Sequence, residues 1–425
     1  MKDTTKTTLT RRGFIRNSAA AAFGFTIVPR HVLGATDRPA PSDEITRAVV
    51  GVGGMGRGHL GYAGARTIAV CDVDRGHLQS ALDSLEKGVK GFTDFREVLA
   101  MPEVDVVHIA TPPHWHGLIS IAAAEAGKDV WCEKPMTRTI GEGRRVVEAV
   151  RRNGRIFRLN TWFRFKDNFY GFGSTVKPIK QIVDSGELGW PLRVTVGGGT
   201  GFDFKFFWSG RTDLTPQPVP PELDYNFWLG PAPEKPYHPH RVHQTFRGYW
   251  DYDGGGLGDM GQHYLDPVQY LLGKDDTSPV EVEVDAPQQH PDAVSSWRRI
   301  VLRYADGCEI VLDGDGSSQG QPYIEGPKGK LFKGLRLEIG GKEKVLRGLP
   351  EPDPQEGDFY DCVRTRRRFA LNEANGHRSC TLINLGTTAV RLGRNLRYDP
   401  DKQEFVGDEE ANRLIFQPMR GPWRV

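Results

Sequence analysis

A chain of 425 residues is longer than one ordinary hydrophobic core can organise, so two domains are the expectation. Its 38% hydrophobic and 26% charged residues, with 51 glycines, fit a soluble, loop-rich enzyme. Five cysteines with no CxxC pair argue against a disulfide scaffold, and Cys71 and Cys132 read as small apolar residues in strands.

Residues 1–34 read as a leader. Thr10-Arg11-Arg12-Gly13-Phe14-Ile15-Arg16 is a twin-arginine block, and the mildly apolar run 18–28 behind it is too short to span a bilayer. With a cleavage point after Gly34 and a linker over 35–44, this predicts export by the twin-arginine route to a periplasmic or other external location; a disordered basic tail is the alternative. Removing the leader takes away six Lys or Arg residues against Asp3, so the formal charge changes from +2 to −3. That balance gives no reason to expect a nucleic acid, or a membrane beyond export, as partner.

A β-rich run over 45–52 opens into Gly51-Val52-Gly53-Gly54-Met55-Gly56-Arg57-Gly58-His59, after which the pattern turns helical. Gly51 permits a tight turn, Gly53 and Gly54 let a pyrophosphate approach the backbone, and Gly56 lets the helix pack on the strand. Met55 at the helix N-terminus and Arg57 would favour the phosphates. A second strand, 67–71, leads into Asp72, 21 residues beyond Gly51 and suited to an adenosine ribose diol. Its charge would repel a 2′-phosphate, so NAD is favoured over NADP, with Arg75 as the argument for NADP.

The βα alternation continues with a third strand over 104–110 and then Thr111-Pro112-Pro113-His114-Trp115-His116, read as a wall against the nicotinamide half of a cofactor. Capping and packing compete for His114 and His116, and no metal site is expected from them. Residues 129–132 form a short buried strand that ends in Glu133-Lys134-Pro135, where open α/β sheets gather ligands. Pro135 disfavours a helical Lys134. Held beside a cationic ring and partly desolvated, that lysine could be tuned as a general acid/base; a surface salt bridge with Glu133 is the plainer reading. Thr139 and Glu142 read as a capping box, and 156–159 as the last strand, ending in Asn160-Thr161-Trp162-Phe163-Arg164.

Beyond Arg164 the alternation weakens. Strand-like runs at 192–196, 280–284, 300–304, 309–313 and 335–339 predict an antiparallel sheet covered on one face. A long insertion, 197–253, holds Phe202, Phe204, Phe206, Phe207, Trp208, Tyr225, Phe227 and Trp228, which suit a carbohydrate-stacking wall or an oligomer interface equally. His238, His240 and His243 in its proline-rich part read as surface residues rather than metal ligands. Three glycines then open a helix in which Asp259, His263 and Asp266 fall at i, i+4 and i+7 on one face.

Four ordered motifs converge: the glycine turn, Thr111-Pro112-Pro113-His114-Trp115-His116, Glu133-Lys134-Pro135, and Gly255-Gly256-Leu257-Gly258-Asp259-Met260-Gly261-Gln262-His263. Together they resemble the Gfo/Idh/MocA oxidoreductases over nearly the whole chain beyond the leader. The resemblance implies an α/β chain with an N-terminal Rossmann domain, 45–163, and a C-terminal α+β domain, 164–425, with an open, mostly antiparallel sheet that also mediates homo-oligomerisation. It implies NAD(P) held between them by Gly51, Gly53, Gly54, Met55, Gly56, Asp72, Thr111, Pro112, His114, His116, Glu133, Lys134 and Arg164. It implies Lys134, His263 and Asp259 as catalytic residues, these with Trp162 and Arg164 on the substrate, and a sugar, glycoside or cyclitol as that substrate. Some exported relatives use bound NAD to hydrolyse glycosides by oxidation, elimination, addition and reduction, but they depart from the Glu-Lys-Pro pattern that is intact here. A non-catalytic sugar-binding or scaffold protein is the third reading. An exported enzyme meets no soluble NAD pool, so the cofactor is expected to be tightly bound and the cycle redox-neutral.

Overall fold

The computed structural model describes residues 44–161, 163, 164, 169 and 172–425. The leader, the linker up to residue 43 and Trp162 lie outside the described residues. Among the described residues no helix is long and apolar enough to cross a membrane.

Six parallel strands form the first sheet: β1 Thr46–Val50, β2 Arg66–Cys71, β3 Lys90–Phe92, β4 Val106–Ile109, β5 Asp129–Glu133 and β6 Phe157–Asn160, in the order β3-β2-β1-β4-β5-β6. The central strands are apolar on both faces because helices cover both, so Ala48, Val49, Val106, Val107 and Val130 are fully buried. The order reverses between β1 and β4, and the chain leaves both strands at the same edge, the switch point where such sheets hold ligands. The helices Gly54–Leu60, His116–Glu125 and Ile140–Arg152 start at that edge. The last is capped by Thr139, whose side chain accepts the Glu142 N–H. The Glu142 carboxylate reaches back to the backbone at Arg138 and Thr139, accepting from the Arg138 N–H at 3.2 Å, and burial raises its pKa to about 7.

The second sheet has ten strands: β7 Arg193–Gly197, β8 Glu281–Asp285, β9 Arg299–Arg303, β10 Glu309–Asp313, β11 Ile324–Glu325, β12 Gly329–Leu331, β13 Leu337–Ile339, β14 Lys342–Lys344, β15 Leu396–Asp399 and β16 Glu404–Phe405. Their order is β14-β13-β12-β11-β7-β10-β9-β8-β15-β16, with β7 and β10 parallel and the other neighbours antiparallel. One face shares a core with the helix Gly255–Leu271, in which Leu257, Met260, Tyr264, Leu265 and Val268 pack with Val194, Ile300, Leu302, Ile310 and Leu312. The opposite face carries an ion-pair ladder: Glu309 joins Arg193 and Arg303, and Arg303 also reaches Glu283.

The chain does not divide cleanly into two consecutive halves. The helices Phe359–Thr365 and Glu373–Leu392 return to the first sheet, where Leu159 N–H donates to Leu371 O and Tyr360 Oη lies 2.9 Å from His108 Nε2. The insertion returns as well: Arg75 N–H donates to Glu222 O at 2.9 Å and Asp224 N–H to Val73 O at 3.0 Å. Its aromatics are chiefly a core of their own. Tyr225, Trp228, Phe246, Tyr249 and Tyr252 cluster with Val242 and Leu229, and Val73 of the first half packs against them. Phe202 and Phe204 belong to the sheet core, and of the eight aromatics in the sequence reading only Phe207 is largely exposed, at 68%. A stacking wall or oligomer interface made of all eight is therefore corrected to a folded strap with its own core.

Candidate active site

The glycine turn has the geometry that a phosphate-binding turn requires. Gly51 has φ +84°, and a Cβ there would lie 2.7 Å from Thr111 N; a Cβ on Gly56 would lie 1.7 Å from Gly51 O. Both positions therefore exclude any side chain, Gly51 by its left-handed backbone and Gly56 because the helix touches the strand end. Nothing lies within 4 Å of a Cβ on Gly54, which borders open space. Asp72 locks the turn from the neighbouring strand: one carboxylate oxygen accepts from Val52 N–H at 2.8 Å and the other from Asp74 N–H at 2.9 Å.

A cavity of about 470 Å³ runs from this turn to Lys134. At one end Asp72, Asp74, His77 and His243 line it; Gly51, Gly53, Gly54, Met55, Thr111 and Pro112 follow, and Lys134, Asp253, Asp259, Trp208 and Arg247 close the other end. The insertion roofs it with Phe227, Trp228 and Phe246. His243 Nε2 lies 3.5 Å from Asp74 and its ring centroid 4.9 Å from that of His77, so this histidine is exposed, as read from the sequence, and also borders the cavity.

Lys134 sits at the end of β5, joined to Pro135 by a cis peptide. Its ammonium donates to Asp259 O at 2.7 Å and to Asp259 Oδ1 at 3.0 Å. The expected pairing with Glu133 is not formed. Asp259 is held in turn by Arg247 Nε at 2.7 Å, and the Arg247 guanidinium lies 4.8 Å from the ring centroids of both Trp208 and Phe246. Burial works against ionising Asp259, but Lys134 and Arg247 outweigh it and hold its pKa well below the usual carboxylate range. Gln262, one turn on, accepts from Met136 N–H at 2.8 Å and donates to Gly376 O, which ties the Lys134-Pro135 turn to two helices. His263 is buried, and burial first, Lys134 second, push its pKa down to about 3, so at neutral pH the ring is uncharged. Asp253, just before the three glycines, is buried with its pKa raised to about 7 by burial and then by Asp259.

Several predicted site residues are engaged elsewhere. Glu133 borders the cavity, but its carboxylate is engaged by neighbours, with an oxygen 2.8 Å from His59 Nε2 that also accepts from Asn160; His59 Nδ1 is 3.0 Å from His108 Nδ1. Burial opposes the carboxylate charge, yet those partners bring the Glu133 pKa down to about 2. His116 is a clamp, with one ring nitrogen 2.7 Å from Pro135 O and the other 2.7 Å from Thr111 O, so it shapes the wall without lining it. Arg164 is in neither the cofactor nor the substrate region. Its guanidinium donates to Asp266 at 2.8 and 3.1 Å and to Asp275 at 2.6 and 2.9 Å, with both the Arg164 and Asp266 side chains wholly buried. The expected single stripe of Asp259, His263 and Asp266 is thereby divided: Asp259 serves the cavity and Asp266 an internal ion cluster.

His114 also points away, its Nε2 2.9 Å from Trp228 O, and burial drives its pKa down to about 3. The unfolded chain takes up this proton near pH 6.5. Stability from His114 is therefore complete above about pH 6.5 and falls on acidification towards 3, by about 1.4 kcal/mol per pH unit. His114→Gln is expected to flatten that slope, read as urea midpoints between about pH 7.5 and 5; an unchanged slope would assign the acid sensitivity to other groups.

Residues 45–161 match the model described as "Oxidoreductase family, NAD-binding Rossmann fold", and 172–425 match "Oxidoreductase family, C-terminal alpha/beta domain". The chain belongs to the Gfo/Idh/MocA oxidoreductase family. Within this family it is 34% identical to an inositol 2-dehydrogenase of Salmonella typhimurium over 151 residues, which is 34% of this chain and 43% of that protein. It is 26% identical to an uncharacterized oxidoreductase of Bacillus subtilis over 241 residues, 55% of each chain. The matches thus span about half or less of these Gfo/Idh/MocA relatives. The fold is shared with the WlbA dehydrogenase of Bordetella pertussis, solved with NADH and UDP-GlcNAcA, at TM-score 0.57 and 20% identity over 84% of this chain and 99% of that one. It is also shared with an aldose-aldose oxidoreductase of Caulobacter crescentus at TM-score 0.53 and 19% identity, over 83% and 99% of the chains.

Arg247, Asp253 and Gln262 were not singled out as site residues. Gln262 lies inside the fourth motif and Asp253 directly precedes its glycines, so position could have flagged both. Arg247 lies in the insertion with no motif around it, and only the folded strap brings it to Asp259.

Proposed function

We propose that this protein is an NAD(P)-dependent oxidoreductase acting on a hydroxyl or keto group of a sugar, glycoside or cyclitol. The observation that carries this is one cavity joining the side-chain-free glycine turn to the Lys134–Asp259–Arg247 cluster. The residues fit a dinucleotide. Gly51 to Gly56 and Thr111-Pro112 would hold its phosphates and nicotinamide half, and Asp72 its adenosine ribose. When bound, NAD supplies hydride acceptance and donation.

The chain's own residues do the positioning and the proton work. Lys134 has three N–H bonds, two of them on Asp259, and the third is available to a substrate oxygen. Asp259 and Arg247 fix the ammonium in place, so the proton is offered from one point in space. His263, one turn from Asp259, is held uncharged at neutral pH and would share in the proton traffic as a neutral hydrogen-bonding ring. Relatives named for inositol and for sugars support the substrate class. Soaking the purified protein with a glycoside and cyclitol panel and reading the NADH absorbance band tests the reading. Reduction of the cofactor is expected; release of free sugar without net reduction would favour NAD-dependent hydrolysis, and silence a non-catalytic binder.

Asp72 gives a second expected result. Asp72→Asn keeps an acceptor for Val52 N–H but removes the charge, so preference for NAD over NADP should fall by roughly tenfold. Nucleotide titrations of both proteins measure it, and an unchanged preference would remove the ribose role.

In the same reading, residues 1–34 direct export of the folded chain and NAD travels inside it as a prosthetic group. The strap from 214 to 253 over the adenosine end supports retention, since Val73 and Arg75 are hydrogen-bonded to it. Purification without nucleotide, followed by denaturation, should release stoichiometric NAD(H); an empty protein that binds NAD weakly and reversibly would rule this out. Association through the charged sheet face would make any homo-oligomer salt-sensitive, which sedimentation at low and high salt would detect.

A further inference from the structure

A second cavity, of about 250 Å³, is lined by Pro135, Thr137, Arg138 and Thr139 and by the helix Glu373–Leu392. Asp253 stands in the wall between the two cavities and lines both. The second one adjoins none of the glycine turn, Asp72 or Lys134.

Two guanidiniums enter its lining. Arg138 donates to Trp250 O and Gln417 Oε1, both uncharged acceptors. Arg391 makes no hydrogen bond and no ion pair among the described residues; its guanidinium lies 5.7 Å from the Trp250 ring centroid, and Asp251 and Asp292 act on it only beyond ion-pair distance. Burial lowers the pKa of both arginines. The nearby carboxyls do little to balance them. Asp251 is paired with Lys235 at 3.7 Å, Asp292 with Lys235 at 3.2 Å and with Arg241 at 2.5 Å, and burial raises Glu142 and Asp253 each to about 7. A partly buried arginine without an anion is costly unless something brings one. The remaining lining is of another kind: the Trp250 indole, the Asn384 amide and the Thr387 and Thr388 hydroxyls. An aromatic wall beside amide and hydroxyl groups matches the apolar face and hydroxyl rim of a sugar ring. The volume falls just below the roughly 300–1,000 Å³ of drug-sized pockets, which leaves room for a single ring.

We propose that this cavity is a second ligand site that takes an anionic monosaccharide, a sugar acid or a sugar phosphate, with Arg391 and Arg138 on the charge and Trp250, Asn384 and Thr388 on the ring. The proposal stands apart from the oxidoreductase reading, because no residue of the Lys134 cluster takes part. Arg391 is a binding residue here and not a catalytic one.

Calorimetric titration of the full chain with glucuronate, glucose 6-phosphate, glucose and inorganic phosphate tests it. The two sugar anions should bind, and glucose and phosphate at least about tenfold more weakly, since each lacks one half of the recognised chemistry. Arg391→Gln should weaken the sugar anions by roughly 10- to 100-fold, the size of one lost charge-assisted hydrogen bond. Arg391→Lys, which keeps the charge without the fork, should fall between, and it guards against reading a folding defect as lost binding. Lys134→Ala should leave this binding intact. The proposal is overturned if Arg391→Gln binds like wild type, if Lys134→Ala abolishes binding, or if the part of the binding lost in Arg391→Gln is as tight for glucose or phosphate as for glucuronate. Intact turnover in Lys134→Ala would count against the oxidoreductase reading alone and would leave the second site standing.

Discussion

Lys134→Ala is expected to lower turnover by roughly 10²- to 10⁴-fold while nucleotide binding persists. The magnitude is that of a positioned acid/base, because the ammonium keeps a hydrogen for a substrate oxygen at the cavity end and a lysine, unlike an arginine, can give up its proton near neutral pH when desolvated. Arg247 is also close, with its Nε on Asp259 and an Nη1 hydrogen on Gln244 O, but a guanidinium stays protonated and serves as a charge, not as a proton donor. The substitution does not leave Asp259 buried and alone, since the 2.7 Å contact from Arg247 remains. The fold should therefore survive, and a loss of rate can be read as lost chemistry. Single-turnover rates with pre-bound nucleotide, alongside a urea melt of the same variant, make the measurement. Wild-type turnover in the variant would end the assignment; a matching loss of stability would make the lysine a structural one. Asp259→Asn should reproduce part of the rate loss, because the amide still accepts from Lys134 but no longer fixes the ammonium by charge.

Backbone chemistry was the legible part of this sequence. Glycines 51, 53, 54 and 56 announce their turn because only glycine meets those sterics, and the structure shows contacts of 2.7 and 1.7 Å for the Cβ atoms that Gly51 and Gly56 lack. Apolar runs of strand length gave all six strands of the first sheet except β3, whose Lys90-Gly91-Phe92 is too short and too polar to stand out. Side-chain direction was less legible. Glu133 and Lys134 are neighbours in one motif and both border the cavity, yet the lysine pairs with Asp259 and the glutamate with His59 and Asn160, and a resemblance that names the motif does not separate them. Arg164 shows the same difficulty at longer range, since Asp266 and Asp275 lie 102 and 111 residues away. The insertion was least legible: its aromatics look like a surface in sequence and pack as a core, because their partner, Val73, belongs to the first half.

Arg164→Met is expected to cost about 3–5 kcal/mol of stability and to leave sugar and nucleotide affinities nearly unchanged. The guanidinium spans two carboxylates, and the two sites differ. Asp275 is partly exposed, with 34% of its side chain accessible, and can turn to water; Asp266 is fully buried and cannot. Burial already raises the Asp266 pKa, with Arg164 and the Thr161 hydroxyl working against it. Without the arginine that pKa rises further, so the folded variant holds a proton that the unfolded chain releases near pH 4. A carboxyl with a raised folded pKa contributes its stability at low pH and loses it as pH rises. The gap between variant and wild type should therefore narrow on acidification from about pH 8 to about pH 5. Adding Asp266→Leu to Arg164→Met removes the orphaned charge and should recover a large part of the loss, a coupling that a double-mutant cycle reads directly. Urea midpoints at the two pH values give all four numbers. If Arg164→Met instead keeps its midpoint and weakens sugar or nucleotide binding by an order of magnitude, Arg164 reaches the ligand after all, through a conformation other than the one in which both carboxylates hold it.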